Sequence, residues 1–140
     1  MMTVLVVDDD EAIRTMVHSA LEDAGYRVRE ARQGDEALTL LHESTTPMVV
    51  LVDLLMPVVS GFELLQRVAE DWDLARRNAY VVVTASEDSL PLVEALRSAT
   101  VVEGLAKPFD IDTLIAAVEH ASTVLLHKDS GTSAHQHNIS

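Results

Sequence analysis

The segment that most constrains the fold is an unbroken apolar run, residues 48–52, which ends in a single carboxylate, Asp53. A short run of this kind predicts a strand that is buried on both faces, as in a parallel sheet. Pro57 then ends regular structure, and Ser60 and Glu63 form the Ser-x-x-Glu pattern of a capping box that opens a helix. Asp53 is therefore predicted at the carboxyl end of a central strand, where open α/β sheets place their ligands.

The same alternation of apolar runs and helical periodicity extends along most of the chain. Strands are predicted at residues 3–7, 26–31, 48–53, 80–83 and 101–106, and helices at 11–24, after Asp35, at 61–71, at 87–98 and at 110–125. Residues 73–78 are predicted to be a polar connector. Five strands that alternate with five helices predict an α/β fold built on a doubly wound parallel sheet.

Composition and charge exclude several classes of function. The 140 residues carry a formal charge of −13 and no cysteine, which excludes disulfides and thiol chemistry and disfavours nucleic-acid binding. Without a long apolar span or a basic signal segment, a cytoplasmic protein that does not enter a membrane is expected. Residues 127–140 are polar and aperiodic, which predicts a flexible C-terminal tail after a domain at 1–126.

Polar side chains follow four of the five predicted strands. They are Asp8 and Asp9, Asp53, Thr84, and Lys107. Since the carboxyl ends of parallel strands meet at one edge, the carboxylates should crowd together, and a cation should relieve their repulsion. Oxygen ligands with open positions suit Mg²⁺. The pattern predicts phosphorylation of a carboxylate, with Asp53 as the nucleophile and a metal that neutralises the developing charge.

These motifs resemble those of the receiver domains of two-component response regulators, the CheY-like family. The resemblance spans about residues 3–126 and rests on four motifs in the family's order: Val6-Val7-Asp8-Asp9, Val52-Asp53-Leu54-Leu55-Met56-Pro57 with Gly61, Thr84-Ala85, and Lys107-Pro108-Phe109. It implies a flavodoxin-like sheet with strand order 2-1-3-4-5.

The resemblance also implies a role for each acidic residue. Asp53 resembles the phospho-acceptor, Asp9 a direct metal ligand, and Asp8 a ligand that acts largely through water. Asp53 and the backbone carbonyl of Leu55 would complete the ligands of Mg²⁺.

Two further positions resemble the residues that respond to the phosphoryl group. Thr84 resembles the switch hydroxyl, aided by the backbone N–H of Ala85, and Lys107 resembles the lysine that pairs with the acceptor and then with its phosphate. The Lys107–Pro108 peptide bond is typically cis in this family.

The sequence departs from the family pattern at three places. Gly104 stands where receivers with an aromatic switch carry Tyr or Phe, which predicts an altered output through the last strand. Val58 replaces a glycine, so a different loop conformation is expected there. Leu55 and Ser86 occupy the variable positions that tune water access, which predicts modest positioning of water by side chains.

The sequence therefore predicts a single-domain receiver, a signalling module rather than an enzyme. It would accept phosphate on Asp53 from a histidine kinase or a histidine phosphotransfer protein, change its surface around the helices at 87–98 and 110–125, and bind or release a protein partner as a monomer or weak homodimer. One alternative is a pseudo-receiver scaffold that acts without phosphorylation. Another is a phosphatase of the haloacid-dehalogenase type with Asp8 as nucleophile, although Ala12 replaces its expected threonine.

Overall fold

The five predicted strands form one parallel sheet. Its strands are β1 (Thr3–Val7), β2 (Arg27–Ala31), β3 (Met48–Asp53), β4 (Ala79–Thr84) and β5 (Val101–Ala106). They lie in the order β2-β1-β3-β4-β5, and every neighbouring pair is parallel. The predicted α/β class and the strand order 2-1-3-4-5 are therefore confirmed.

The computed structural model describes residues 1–54, 56, 60–84 and 101–139, with side chains through residue 127. The predictions made for Leu55, for Val58, for Ala85 and Ser86, and for a helix at 87–98 lie outside these residues. The described residues form five helices: α1 (Glu11–Asp23), α2 (Gly34–Glu43), α3 (Gly61–Glu70), α4 (Trp72–Arg77) and α5 (Ile111–Ile139).

The central strand β3 explains the unbroken apolar run of the sequence. All six of its residues are buried. Met48, Val50 and Val52 pack into a core beneath α2, α3 and α4, whereas Val49 and Leu51 pack into a second core beneath α1 and α5. Because successive side chains of a strand point to opposite faces, a strand covered on both faces must be apolar at every position.

Local side-chain caps set where the helices begin. The Asp10 carboxylate accepts hydrogen bonds from the backbone N–H groups of Ala12 and Ile13 at the start of α1. The Ser60 hydroxyl accepts one from Glu63 at the start of α3, as the capping-box pattern predicts. Met16 is 44% exposed because it lies at the edge of the apolar stripe of α1.

The prediction of a polar connector at 73–78 was wrong, because α4 forms there. The Asp71 carboxylate caps this helix by accepting a hydrogen bond from Leu74, which is buried. An ion pair between Asp73 and Arg77, four residues apart, supports the exposed side. Trp72, the first residue of α4, is 71% exposed, and the Arg76 guanidinium lies over its ring.

The last helix runs on past the domain boundary that the sequence predicts. Helix α5 continues to Ile139, so its backbone crosses most of the segment 127–140. The mobility of that segment in solution stays a prediction. Among the helices that the structure describes, none is long and apolar enough to cross a membrane.

Candidate functional site

Four neighbouring strands bring the predicted site residues to one edge of the sheet. Asp53 is the last residue of β3, Thr84 is the last of β4, and Asp8 and Lys107 directly follow β1 and β5. The register pairs Val7 with Val52 and Thr84 with Ala106, so these ends are level with one another. The parallel arrangement therefore gathers side chains that are up to 99 residues apart in sequence.

Three carboxylates lie close enough to share one cation. Asp8, Asp9 and Asp53 each offer an oxygen, and these oxygens all lie within 4.8 Å of one another. Asp8 and Asp53 are buried, while Asp9 is exposed. Hard oxygen donors with one side open to solvent fit Mg²⁺, which retains several waters when it binds proteins. The donor set thus matches the typical magnesium site of receiver domains.

Lys107 bridges the two buried carboxylates. Its Nζ lies 3.2 Å from Asp8 Oδ2 and 3.3 Å from Asp53 Oδ2. Burial of the ammonium is the largest single influence on the pKa of Lys107 and lowers it, but the attraction of Asp53 and Asp8 outweighs burial, so the pKa is raised overall. Lys107 therefore remains charged and offsets part of the repulsion between the carboxylates.

The loop after β1 holds Asp8 from several sides. The Asp8 backbone N–H donates to the Ala31 carbonyl at 3.1 Å, and its Oδ1 accepts from the Asp10 backbone N–H at 2.9 Å. Nη1 of Arg14 donates to the Asp8 carbonyl at 2.8 Å. Arg14 was not among the predicted site residues. One sequence feature could have identified it: Arg14 is a cation that lies three residues before Val17 on the apolar face of α1, where an apolar residue is normally found.

Gly61 allows α3 to begin directly against the acceptor strand. A Cβ atom at this position would lie 2.0 Å from the Asp53 carbonyl oxygen and 2.7 Å from Val52 Cγ1. The next residue, Phe62, donates its backbone N–H to the Leu54 carbonyl at 3.4 Å. The glycine of the sequence motif is thus explained by close packing at the end of β3.

The remaining motif residues surround this edge. Thr84 is buried, and its carbonyl accepts a hydrogen bond from the Lys107 backbone N–H at 2.8 Å. The Lys107–Pro108 peptide bond is cis, as the resemblance implies. Phe109 packs against the core beneath α1 and α5. The roles predicted for the Thr84 hydroxyl, the Leu55 carbonyl and the Ala85 N–H stay predictions.

Comparison with known proteins identifies relatives over most of the chain. The sequence profile of the response regulator receiver domain matches residues 4–119. The DNA-binding transcriptional regulator NtrC of Salmonella typhimurium is 36% identical over 118 residues, which cover 84% of this chain. Sporulation initiation phosphotransferase F of Bacillus subtilis is 28% identical over 116 residues, which cover 83% of this chain and 90% of that protein.

A solved structure agrees with the sequence relatives. The response regulator TrrA of Thermotoga maritima, in complex with Mg²⁺ and beryllium fluoride, superposes with a TM-score of 0.71 at 27% identity. The superposition covers 85% of this chain and 97% of that one. The chain spans only 24% of the length of the NtrC relative, so the similarity there concerns one part of a longer protein.

Proposed function

Because the chain belongs to the response regulator receiver domain family, we propose that it accepts a phosphoryl group on the Asp53 carboxylate from a histidine kinase or a histidine phosphotransfer protein. One observation carries this proposal. The Lys107 ammonium lies between Asp53 and Asp8, and Asp9 offers a third carboxylate oxygen within 4.8 Å. This arrangement combines a nucleophile, a cation binding site and a fixed positive charge.

In the proposed transfer, a carboxylate oxygen of Asp53 forms a bond to phosphorus while the bond from phosphorus to the donor's imidazole nitrogen breaks. The leaving imidazole takes the electron pair and is protonated from solvent. Asp8, Asp9, Asp53 and the Leu55 carbonyl would hold Mg²⁺, which when bound supplies charge neutralisation for the phosphoryl oxygens.

Lys107 and Thr84 would then respond to the new phosphoryl group. The Lys107 ammonium already lies 3.3 Å from Asp53 Oδ2, so a small movement brings it to a phosphoryl oxygen as a charge-assisted donor. The Thr84 hydroxyl, at the end of the adjacent strand, would donate a second hydrogen bond. A rearrangement that begins at Thr84 and Lys107 changes the surface of β5 and α5, where a protein partner would bind or leave.

The relatives support two features of this proposal. The Thermotoga maritima structure contains Mg²⁺, and the Bacillus subtilis relative, named a phosphotransferase, is matched over 90% of its length. The latter supports a receiver that relays phosphate to another protein. The family match also favours a receiver over a haloacid-dehalogenase-type phosphatase.

Intact mass spectrometry tests the proposed acceptor. The chain is incubated with Mg²⁺ and a small acyl-phosphate donor, and the wild type is compared with Asp53→Asn and Asp8→Asn. One phosphoryl group on the wild type and none on Asp53→Asn is the expected result. Label that persists in Asp53→Asn and disappears in Asp8→Asn would instead identify Asp8 as the nucleophile. If Mg²⁺ binds and no label appears, the scaffold alternative replaces the proposal.

A further inference from the structure

Arg14 is a buried cation that lies outside the motifs discussed above. Its side chain is 9% exposed, and besides the bond from Nη1 to the Asp8 carbonyl, its Nε donates to Glu30 Oε1 at 3.1 Å. Removing a guanidinium from water is costly unless its partners compensate for the lost hydration. The planar, forked geometry of arginine allows two such partners to be bound at fixed positions.

Glu30 is itself held in place. Its Oε2 lies 2.7 Å from Nδ1 of His18, which is one turn after Arg14 on α1. Glu30 belongs to β2, the neighbour of β1, whereas Arg14 and His18 belong to α1. The contacts of Arg14 and His18 with Glu30 therefore join α1 to β2, the edge strand of the sheet. The loop that carries Asp8 and Asp9 connects the neighbouring strand, β1, to the same helix.

Arg14 completes the set of bonds around Asp8. The N–H of Asp8 donates to Ala31, Oδ1 accepts from Asp10, and Oδ2 accepts from Lys107. The carbonyl is the remaining polar group, and Arg14 donates to it. Without this donor, the carbonyl and the following peptide would lose a fixed orientation, and that peptide leads directly to Asp9.

We propose that Arg14 is a positioning residue that holds the Asp8–Asp9 loop in the geometry required to bind a divalent cation. This inference rests on the proposed function, because the cation is the Mg²⁺ of the same site. Groups that orient metal ligands commonly contribute about 10-fold to 100-fold to metal affinity. Arg14 acts through the Asp8 backbone and does not touch the cation.

The sign of the effect separates positioning from simple charge. The Arg14 guanidinium is positive, so its charge alone repels Mg²⁺, and removing that charge would by itself tighten Mg²⁺ binding. Positioning predicts the opposite, because a misplaced Asp8–Asp9 loop binds the cation more weakly. A measured change in affinity therefore distinguishes the two roles.

The experiment is a titration of the metal-free protein with Mg²⁺ by isothermal calorimetry. We expect the Kd for Mg²⁺ to rise about tenfold in Arg14→Met, and to recover partly in Arg14→Lys, whose ammonium can still donate to the Asp8 carbonyl. The matched control is Arg32→Met, since Arg32 is 74% exposed and pairs with Glu36 at 3.7 Å. The control should bind Mg²⁺ like the wild type.

A double variant, Arg14→Met with Glu30→Met, guards against loss of folding. It removes both members of the ion pair, which avoids an unpaired charge beside α1, and it still lacks the donor to Asp8. Weaker Mg²⁺ binding in the folded single or double variant supports the inference. Unchanged or tighter binding in both overturns it. Absence of Mg²⁺ binding in the wild type would instead overturn the proposed function, and the inference with it.

Discussion

At the scale of single residues, the site depends on a balance of charge between Lys107 and two buried carboxylates. The ammonium lies within 3.3 Å of an oxygen of both Asp8 and Asp53. Mg²⁺ would bind the same carboxylate oxygens, so we expect Lys107 and the metal to compete for Asp8 and Asp53. The consequences of removing Lys107 therefore differ with pH and with metal.

We expect Lys107→Met to lower the free energy of unfolding by about 1 kcal/mol in EDTA at neutral pH, since solvent partly screens the lysine. The pKa of Lys107 is raised in the folded protein, so its contribution is fully present below the ordinary value of 10.5 and is lost as pH rises through the folded-state value. Urea unfolding at neutral and higher pH should show a constant difference in unfolding free energy between the two proteins, which shrinks in strong alkali. A difference that grows with pH would contradict this.

A second effect of Lys107→Met concerns the metal. Because the competing cation is gone and the carboxylates repel one another, Mg²⁺ should bind more tightly than it does to the wild type. The rise in Tm that Mg²⁺ produces should also be larger in the variant. Thermal unfolding with and without Mg²⁺ measures this. An equal rise in the two proteins would show that Lys107 does not compete with the metal.

Gly61→Ala should disturb the acceptor itself. The new Cβ would lie 2.0 Å from the Asp53 carbonyl oxygen, so α3 must move away from β3. We expect a loss of about 2 kcal/mol or more in unfolding free energy and slower phosphorylation of Asp53. Urea unfolding and intact mass measure the two effects.

Gly25→Ala is the matched control for this substitution. Gly25 has a φ of 98°, and no atom lies within 4 Å of the position that a Cβ would occupy, so alanine there adds backbone strain without a steric clash. The expected cost is about 1 kcal/mol, with unchanged phosphorylation. Equal phosphorylation rates in the two alanine variants would show that the close approach of Gly61 does not position Asp53.

At the scale of elements, a buried amide joins the end of α4 to the central strands. The Asn78 Oδ1 accepts a hydrogen bond from the Met48 backbone N–H at 2.9 Å, and its Nδ2 donates to the Leu74 carbonyl at 3.2 Å. The Tyr80 hydroxyl donates to the same carbonyl at 3.0 Å. Burial raises the pKa of Tyr80, so the phenol remains a neutral donor. These bonds position the start of β3 beneath α4.

We expect Asn78→Ala to cost about 2 kcal/mol, because it leaves the buried Met48 N–H without its acceptor. Hydrogen exchange should show faster exchange of the Met48 amide, and urea unfolding should report the loss of stability. Asp71→Ala is the control. It removes the cap of α4 at a cost of about 1 kcal/mol and leaves the Met48 amide protected. Unaltered exchange at Met48 in Asn78→Ala would contradict this account.

At the scale of the whole molecule, the formal charge of −13 dominates. The chain has 23 acidic residues and 10 basic ones, so repulsion between like charges destabilises the compact state. The candidate site adds to this repulsion because it brings Asp8, Asp9 and Asp53 together. Ionic strength and Mg²⁺ should therefore both stabilise the fold, by different routes.

Raising NaCl from about 10 mM to about 150 mM shortens the Debye length from about 30 Å to about 8 Å, so we expect a Tm that is a few degrees higher. Mg²⁺ at matched ionic strength should add a further rise in the wild type, and a smaller one in Asp53→Asn. Differential scanning calorimetry measures both. A Tm that falls with salt would show that attractive pairs outweigh the net charge.

The sequence by itself determined the sheet and the place of the candidate site. The apolar run at 48–52 requires cover on both faces, and the parallel strands that follow from it bring Asp8, Asp53 and Lys107 to one edge. These conclusions rest on periodicity and strand polarity, which are properties of short segments. The motifs at the strand ends then identified the family, which the comparison with known proteins confirmed.

Only the tertiary structure revealed which buried polar side chains hold the two ends of the sheet in place. Arg14 forms a hydrogen bond with Glu30, which is 16 residues away in the sequence. Asn78 accepts one from the Met48 backbone N–H, which is 30 residues away. No short sequence pattern predicts either pairing, because each depends on how segments from different parts of the chain pack together. Periodicity shows which face of an element is buried, whereas the partner of a buried polar group is decided by the register and packing of elements distant in sequence.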